Sequence, residues 1–540
     1  MRNKRPGNLA ASRAPARMAR LFVAVGLCVQ LTTGPVAWAQ TTPVVDVDSG
    51  PVRGINDAKM KSFLGIPYAA PPVGDLRWRP PQAPKPWSKP PEASKVTNEC
   101  PQNGDLGVFA SAGGNEDCLY LNVYVPRSTG DRRSLPVFVW IHGGNLTVGR
   151  GADYDPRKLV ADGNVIVVTI NYRLGVLGFF SHPKIDGEGH PFANYGQMDQ
   201  TFALDWVQRN IRKFGGDPDN VTIAGESSGG TSVLAQIISP WAAGKFQHAI
   251  IMSGGAEIIR HPYFGATRPV DYARKIGSGF ANASGCSDQS AACLRGLSVA
   301  QILAHQKDYI VNQTIIDGDF MPMQPSDALR DGKFNHVTIV NGTTSNEGTF
   351  FAALPENSTG KAMTEEGYSA GLGAFFGDKS ELVAREYPIA DYQSPSEAYA
   401  AVATDYLFSC PALMIDKWAS EKTTVHAYEF NDRTAPSYIP PTTYPLGAAH
   451  TFELSYIFSG FHGGKLGYAV KLNSFQKKLS DEMVHFWTSA SNTAQWADWP
   501  RFEGAQPSLM QFMLPENHRL PVTEFAKRHH CDFWDSIGIY

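Results

Sequence analysis

Seven cysteines in 540 residues are few, and none are spaced C-x-x-C, which argues against a zinc or redox centre; no metal or cofactor is expected. Beyond the first residues there is no basic block, so nucleic acid and anionic membranes are not expected as partners. No later stretch reads as long and apolar enough to span a bilayer, which takes roughly 20 residues. There is also no internal repeat, no charge block and no composition break that marks a linker. One large domain over 40–540 is therefore expected.

The first 39 residues do carry a pattern. Arg2, Lys4, Arg5, Arg13, Arg17 and Arg20 occur with no acid, followed by an apolar run from Leu21 to Leu31 and then Ala37-Trp-Ala39. This reads as a secretory signal over 1–39, with cleavage expected after Ala39 and export to the periplasm or beyond. The formal net charge of -3 falls to near -9 once those six cations are removed. Cys28 leaves with the signal, and the other six, Cys100, Cys118, Cys286, Cys293, Cys410 and Cys531, form an even set suited to disulfides in an oxidising compartment. Spacing alone allows 15 connectivities.

Catalytic chemistry is legible at Val221-Thr-Ile-Ala-Gly-Glu-Ser-Ser-Gly-Gly230. Val221 to Ala224 suits a buried strand, and Ser228 onward, with Thr231, Val233, Leu234, Ile237 and Ile238, has the spacing of an amphipathic helix. Between them Gly225-Glu-Ser-Ser-Gly229 is a G-x-S-x-G, whose glycines permit the sharp turn that lifts a Ser227 hydroxyl above a sheet edge. Other strand-like runs are Val44 to Val52, one starting within Asn115 to Val125, Pro136 to Ile141, Val165 to Ile170, Ala249 to Met252, Val337 to Val340 and Val425 to Phe430. A helix is expected over Tyr195 to Phe214. The Pro-rich passage Gly65 to Pro81 should be extended and surface-hugging, with Leu76 and Trp78 packing. Alternation of strand and helix argues for an α/β fold with a large, mostly parallel sheet covered on both faces, capped by helical insertions at about 260–335 and 355–420.

An activated serine needs a base, an orienting acid and donors for an oxyanion. His142-Gly-Gly-Asn145 follows a strand, where glycines let backbone N–H groups turn toward a substrate oxygen. In α/β-hydrolases the chain order is serine, acid, histidine. Glu347 is the single acid in the loop after Val337 to Val340. Among the seven later histidines His450 stands out, because it ends the turn Pro445 to His450, whereas His426, His462, His485, His518, His529 and His530 read as surface or core residues.

These residues carry a resemblance. Gly65-Ile-Pro-Tyr68, Glu116-Asp-Cys-Leu-Tyr-Leu-Asn122, His142-Gly-Gly144, Asn171-Tyr-Arg-Leu-Gly175, Phe214-Gly-Gly-Asp-Pro218, Gly225 to Gly230 and Cys531-Asp-Phe-Trp534 are similar to the motifs of the type-B carboxylesterases, the cholinesterase-like family of the α/β-hydrolase fold. The match covers nearly all of the chain after the signal. It implies a serine esterase acting on a small-molecule ester, with Ser227 as nucleophile, Glu347 as acid and His450 as base. It further implies oxyanion donors at the N–H groups of Gly144, Asn145 and Ser228, and disulfides Cys100–Cys118, Cys286–Cys293 and Cys410–Cys531. A general carboxylesterase or lipase is the nearer alternative. A catalytically silent binding module is the more distant one, disfavoured because all three triad positions hold competent residues.

Two departures from the family pattern matter. The Cys100 to Cys118 loop lacks the tryptophan with which cholinesterases bind quaternary ammonium, so choline esters are not expected substrates. Asn145 stands where a third glycine is usual, and Arg150 follows five residues later. Together they are expected to hold an acyl group bearing extra carboxylates.

Overall fold

The fifth and sixth strands explain why the sheet is central. Leu135–Ile141 is an unbroken apolar run and Ile166–Ile170 is β-branched throughout and apolar but for Thr169, with every residue buried, which only strands covered on both faces tolerate. The structure, a computed structural model, describes residues 40–540 apart from 92–94, 105, 128–133, 310, 465–466 and 490–498. The expected signal segment and its cleavage site lie outside the described residues.

In chain order the strands are β1 (Gln40–Val47), β2 (Gly50–Asn56), β3 (Met60–Pro67), β4 (Tyr120–Pro126), β5 (Leu135–Ile141), β6 (Ile166–Ile170), β7 (Gly216–Glu226), β8 (His248–Met252), β9 (Arg268–Pro269), β10 (Ile315–Ile316), β11 (Thr338–Thr344), β12 (Val425–Phe430), β13 (Ser508–Phe512) and β14 (His518–Pro521). Twelve of them form one sheet in the order β1-β2-β3-β4-β6-β5-β7-β8-β11-β12-β13-β14, with β9 and β10 pairing apart. From β6 to β13 neighbours run parallel, and the edges are antiparallel. This is the expected α/β-hydrolase architecture.

Register decides where the chemistry sits. Val137 to Ile141 of β5 pair with Val221 to Gly225 of β7, and Gly342 of β11 pairs with Met252 of β8. The segments after β5, β7, β8 and β11 therefore emerge side by side at the carboxyl ends of the parallel strands, where open α/β sheets bind ligands.

Several expectations are corrected. The single strand expected over Val44 to Val52 is a hairpin, because the chain turns at Asp48-Ser49 between β1 and β2. The Pro-rich passage begins in a strand, while the packing expected of Trp78 is found. Gly65 to Pro67 end β3, and Trp78 is wholly buried, its indole N–H donating to the Val176 carbonyl at 2.8 Å and its ring stacked on Phe180. The strands β13 and β14 and the helix Ser474–Thr488 were not foreseen. One helical stretch, Pro395–Ser420, is long and apolar enough to cross a membrane, contrary to expectation; its apolarity serves the core, since 89% of its apolar 18-residue window is buried inside the fold.

The three disulfides have the pairing that the resemblance implies. Cys410–Cys531 spans 121 residues and ties the helix Cys410–Ser420 to the C-terminal helix Cys531–Ser536. Closing a loop of that length contributes on the order of 4 to 5 kcal/mol in the chain-entropy account. Reduction is accordingly expected to lower the denaturant midpoint and to give less active protein on expression in a reducing cytoplasm. Finding six titratable thiols in the native protein would refute this.

Candidate active site

Between β7 and the helix Ser228–Ile238, Ser227 adopts φ 58°, ψ -127°, a backbone conformation that a residue with a side chain seldom takes. The flanking glycines make it possible. A Cβ on Gly225 would lie 2.4 Å from the Gly229 carbonyl oxygen, and one on Gly229 would lie 2.2 Å from that of Ile141. The strained turn raises the Ser227 side chain into a cavity of about 470 Å³ that His450, Gly144, Asn145 and Ser228 also line.

Glu347 does not sit within a loop as expected, because β11 runs on to Thr344 and Glu347 opens the helix Glu347–Thr359. One carboxylate oxygen accepts the Thr344 N–H at 2.7 Å and the Ser253 hydroxyl at 2.5 Å; the other faces His450 Nδ1 at 2.5 Å. His450 reaches this position because its turn is pinned to the Glu347 segment. Asn346 pairs with Ala449, and its N–H donates to the Ala448 carbonyl at 3.0 Å. Phe350, Phe351 and Phe408 enclose the imidazole, with ring centroids 6.0, 4.9 and 5.0 Å away.

The other ring nitrogen, Nε2, lies 3.2 Å from Glu226 Oε1 without the alignment of a hydrogen bond. Nor does it hydrogen-bond Ser227 in this resting arrangement. Such contacts commonly tighten only when substrate is bound. Glu226 beside the histidine and Glu453 are both buried acids. Burial holds both well above the usual carboxyl range, Glu226 further through Glu453 and Glu347, and Glu453 through Glu347. Both are thereby kept toward the neutral form, which avoids three mutually repelling buried carboxylates. Neither was singled out from the sequence, although Glu226 lies inside the G-x-S-x-G.

The oxyanion segment turns sharply, with Gly144, Asn145 and Leu146 at φ 107°, 59° and 57°. The Leu146 N–H donates to Ser228 Oγ at 3.0 Å, whereas those of Gly144, Asn145 and Ser228 find no protein acceptor among the described residues. Three donors thus remain for a ligand oxygen. His142 supports the turn from beneath, and burial lowers its imidazole to about 4, so it stays neutral. Arg150 is a correction. It is engaged by Glu99 at 3.2 Å and Asp153 at 2.7 Å and does not line the cavity, which is bordered by no lysine or arginine among the described residues. The Cys100 to Cys118 loop contributes Phe109, edge-on to Phe350 at 5.5 Å. His426 and His529 are core residues, as expected for histidines outside the site.

A serine on a strained strand-to-helix turn, above an α/β sheet and beside a histidine paired with a carboxylate, defines the α/β-hydrolase class. Residues 41–534 match the carboxylesterase family, and the chain belongs to it; it is a carboxylic ester hydrolase. It is 35% identical to the cocaine esterase of Homo sapiens over 89% of this chain and 88% of that protein, and 34% identical to the acylcarnitine hydrolase of Mus musculus over 92% and 91%. A thermophilic PNB esterase superposes with a TM-score of 0.76 at 30% identity, over 90% of this chain and 99% of its own.

Proposed function

We propose that this is an exported serine carboxylesterase working through an acyl-enzyme, with Ser227 as nucleophile, His450 as base and Glu347 as its orienting acid. The observation that carries it is the convergence, in one cavity, of the strained Ser227 turn, the Glu347–His450 contact of 2.5 Å and three unspent N–H donors. Ser227 Oγ attacks the ester carbonyl while its proton passes to His450 Nε2, and Glu347 stabilises the resulting imidazolium. Charge developing on the carbonyl oxygen is met by the N–H groups of Gly144, Asn145 and Ser228. His450 returns the proton to the departing alkoxide. A water then repeats the sequence in reverse and frees the acid.

For the substrate we infer the tricarballylate esters of fumonisin B1, because the overall sequence resembles that of a bacterial fumonisin B1 esterase. A polyacid acyl group must find donors here without a cation in the lining, and Asn145 is one. Its amide oxygen accepts from Asn312 Nδ2 at 3.0 Å, which leaves its NH2 as a donor. Product analysis after incubation with fumonisin B1 tests this directly, and absence of tricarballylic acid refutes it. The general carboxylesterase or lipase reading is favoured by the phenylalanine-rich wall around His450; a panel of simple aliphatic esters turned over faster than fumonisin B1 would establish it. Asn145→Gly keeps the backbone donor. It is expected to weaken turnover of tricarballylate esters about tenfold, the order of one hydrogen bond to a charged group, with little effect on acetates. Equal effects on the two would remove Asn145 from acid recognition.

A further inference from the structure

Glu257 lines the same cavity as Ser227 yet takes no part in the triad. It stands on the turn Gly255–Ile258 just beyond β8 and is 1% exposed. One carboxyl oxygen accepts the Thr314 N–H at 3.3 Å; the other is buried with no hydrogen-bond partner among the described residues. A buried polar atom left unpaired costs free energy, and a native protein that keeps one commonly has a use for it. The segment that holds Glu257 also holds Asn145: Asn312 donates to the Asn145 side chain at 3.0 Å, and Thr314, two residues on, donates to Glu257. Two polar side chains are thus fixed to one stretch of chain in the wall beside the oxyanion turn.

We propose that Glu257 is a specificity residue which, as a neutral carboxylic acid, donates its O–H to a second carboxylate on the acyl group of the substrate. This rests on the polyacid reading above. An O–H donated to a carboxylate is short and charge-assisted, and it lets a cavity without a lysine or arginine accept an anion. The chemistry requires the acid form, and burial, opposed only by the hydrogen bonds from Thr314, raises Glu257 to about 7. No charged group contributes to that shift. Of the elements packed on its turn, Ser228–Ile238 bears no titratable side chain, and Cys410–Ser420 bears Lys417 and Asp416, the latter bound by Asn341. Asp405–Ser409 bears Asp405, held by His529, and Tyr406, which donates to the Phe264 carbonyl. Pro325–Asp331 bears Asp327, held by Arg260, together with Arg330 and Asp331. Within the cavity itself the other titratable groups are Glu226, His450, Tyr154 and Tyr399.

The sign of the pH effect follows. Above about 7 Glu257 ionises, stops donating and repels the acyl carboxylate. With monomethyl succinate, kcat/KM followed by methanol release should therefore fall on the alkaline side, whereas with methyl butyrate it should not. Glu257→Gln supplies a donor that does not titrate; it should abolish the alkaline fall and leave methyl butyrate turnover unchanged. Glu257→Leu should lower kcat/KM for the succinate ester about tenfold to a hundredfold, the worth of a hydrogen bond to a charged group, with methyl butyrate turnover reporting that the variant is folded. An alkaline fall that persists in Glu257→Gln, or equal losses on both esters in Glu257→Leu, overturns the subsite while leaving the polyacid reading intact. No turnover of monomethyl succinate or fumonisin B1 by the unaltered enzyme overturns both.

Discussion

Ser227→Ala is expected to lower kcat on the order of 10^4-fold or more while leaving the fold and the thermal midpoint nearly unchanged. The hydroxyl makes no hydrogen bond that supports the structure, since the turn is held through its backbone: the Ser227 N–H donates to the Met252 carbonyl at 2.9 Å, and its carbonyl accepts from Thr231 at 2.9 Å. His450→Ala should fall as far, because serine without a base is a poor nucleophile. Glu347→Gln should also fall by orders of magnitude. An amide there must present either its oxygen or its NH2 to Nδ1, and the wrong choice fixes the imidazole in the tautomer whose Nε2 already bears a proton. The three losses should not add, since the residues act as a unit. Steady-state kinetics on methyl butyrate, with the unfolding midpoint measured alongside, checks all three. Retention of more than a few per cent of activity in Ser227→Ala would end the assignment.

Why the candidate triad was legible is a matter of how local each signal is. Ser227 announces itself through two glycines, and the close approaches that Gly225 and Gly229 make to backbone oxygens explain why no other residue fits there. Glu347 and His450 were placed by order along the chain, and the structure joins them through a pairing between Asn346 and Ala449 that no periodicity reveals. Strands buried on both faces, β5 and β6, were easy to read; β13 at the far side of the sheet was not, because it pairs with β12 about 80 residues earlier, and the short edge strand β14 pairs with β13 alone. Arg150 shows the limit of proximity along the chain. Five residues from Asn145, it is drawn to Glu99 and Asp153 instead. Glu226, Glu257 and Glu453 were invisible for a related reason: an acid in a sequence looks solvated until its burial is known, and all three are buried.

His529 is where the largest pH-linked stability effect should fall. Its Nδ1 faces Asp405 at 2.6 Å and its Nε2 faces Glu429 at 2.9 Å, with the ring only 3% exposed. Asp405 also accepts from Tyr387 at 2.8 Å, and Glu429 is further held by Arg528 at 2.9 Å. Burial by itself would lower the imidazole, but Asp405 and then Glu429 overcome it and raise it to about 9. The folded value thus stands above the usual 6.5, so the stabilisation is fully present below about 6.5 and is lost as pH climbs through 9. A shift of that size corresponds to about 3 kcal/mol. The network also bears on the site, since Asp405 opens the turn Asp405–Ser409, whose Leu407 and Phe408 line the cavity. His529→Gln leaves buried Asp405 without a cation and Glu429 with Arg528 alone, and should cost about 3 to 5 kcal/mol at pH 6. Urea midpoints at pH 6 and pH 9, disulfides intact, decide the matter. The unaltered protein should lose stability between them and the variant should lose much less; parallel falls in both would mean that His529 is not the proton-linked group.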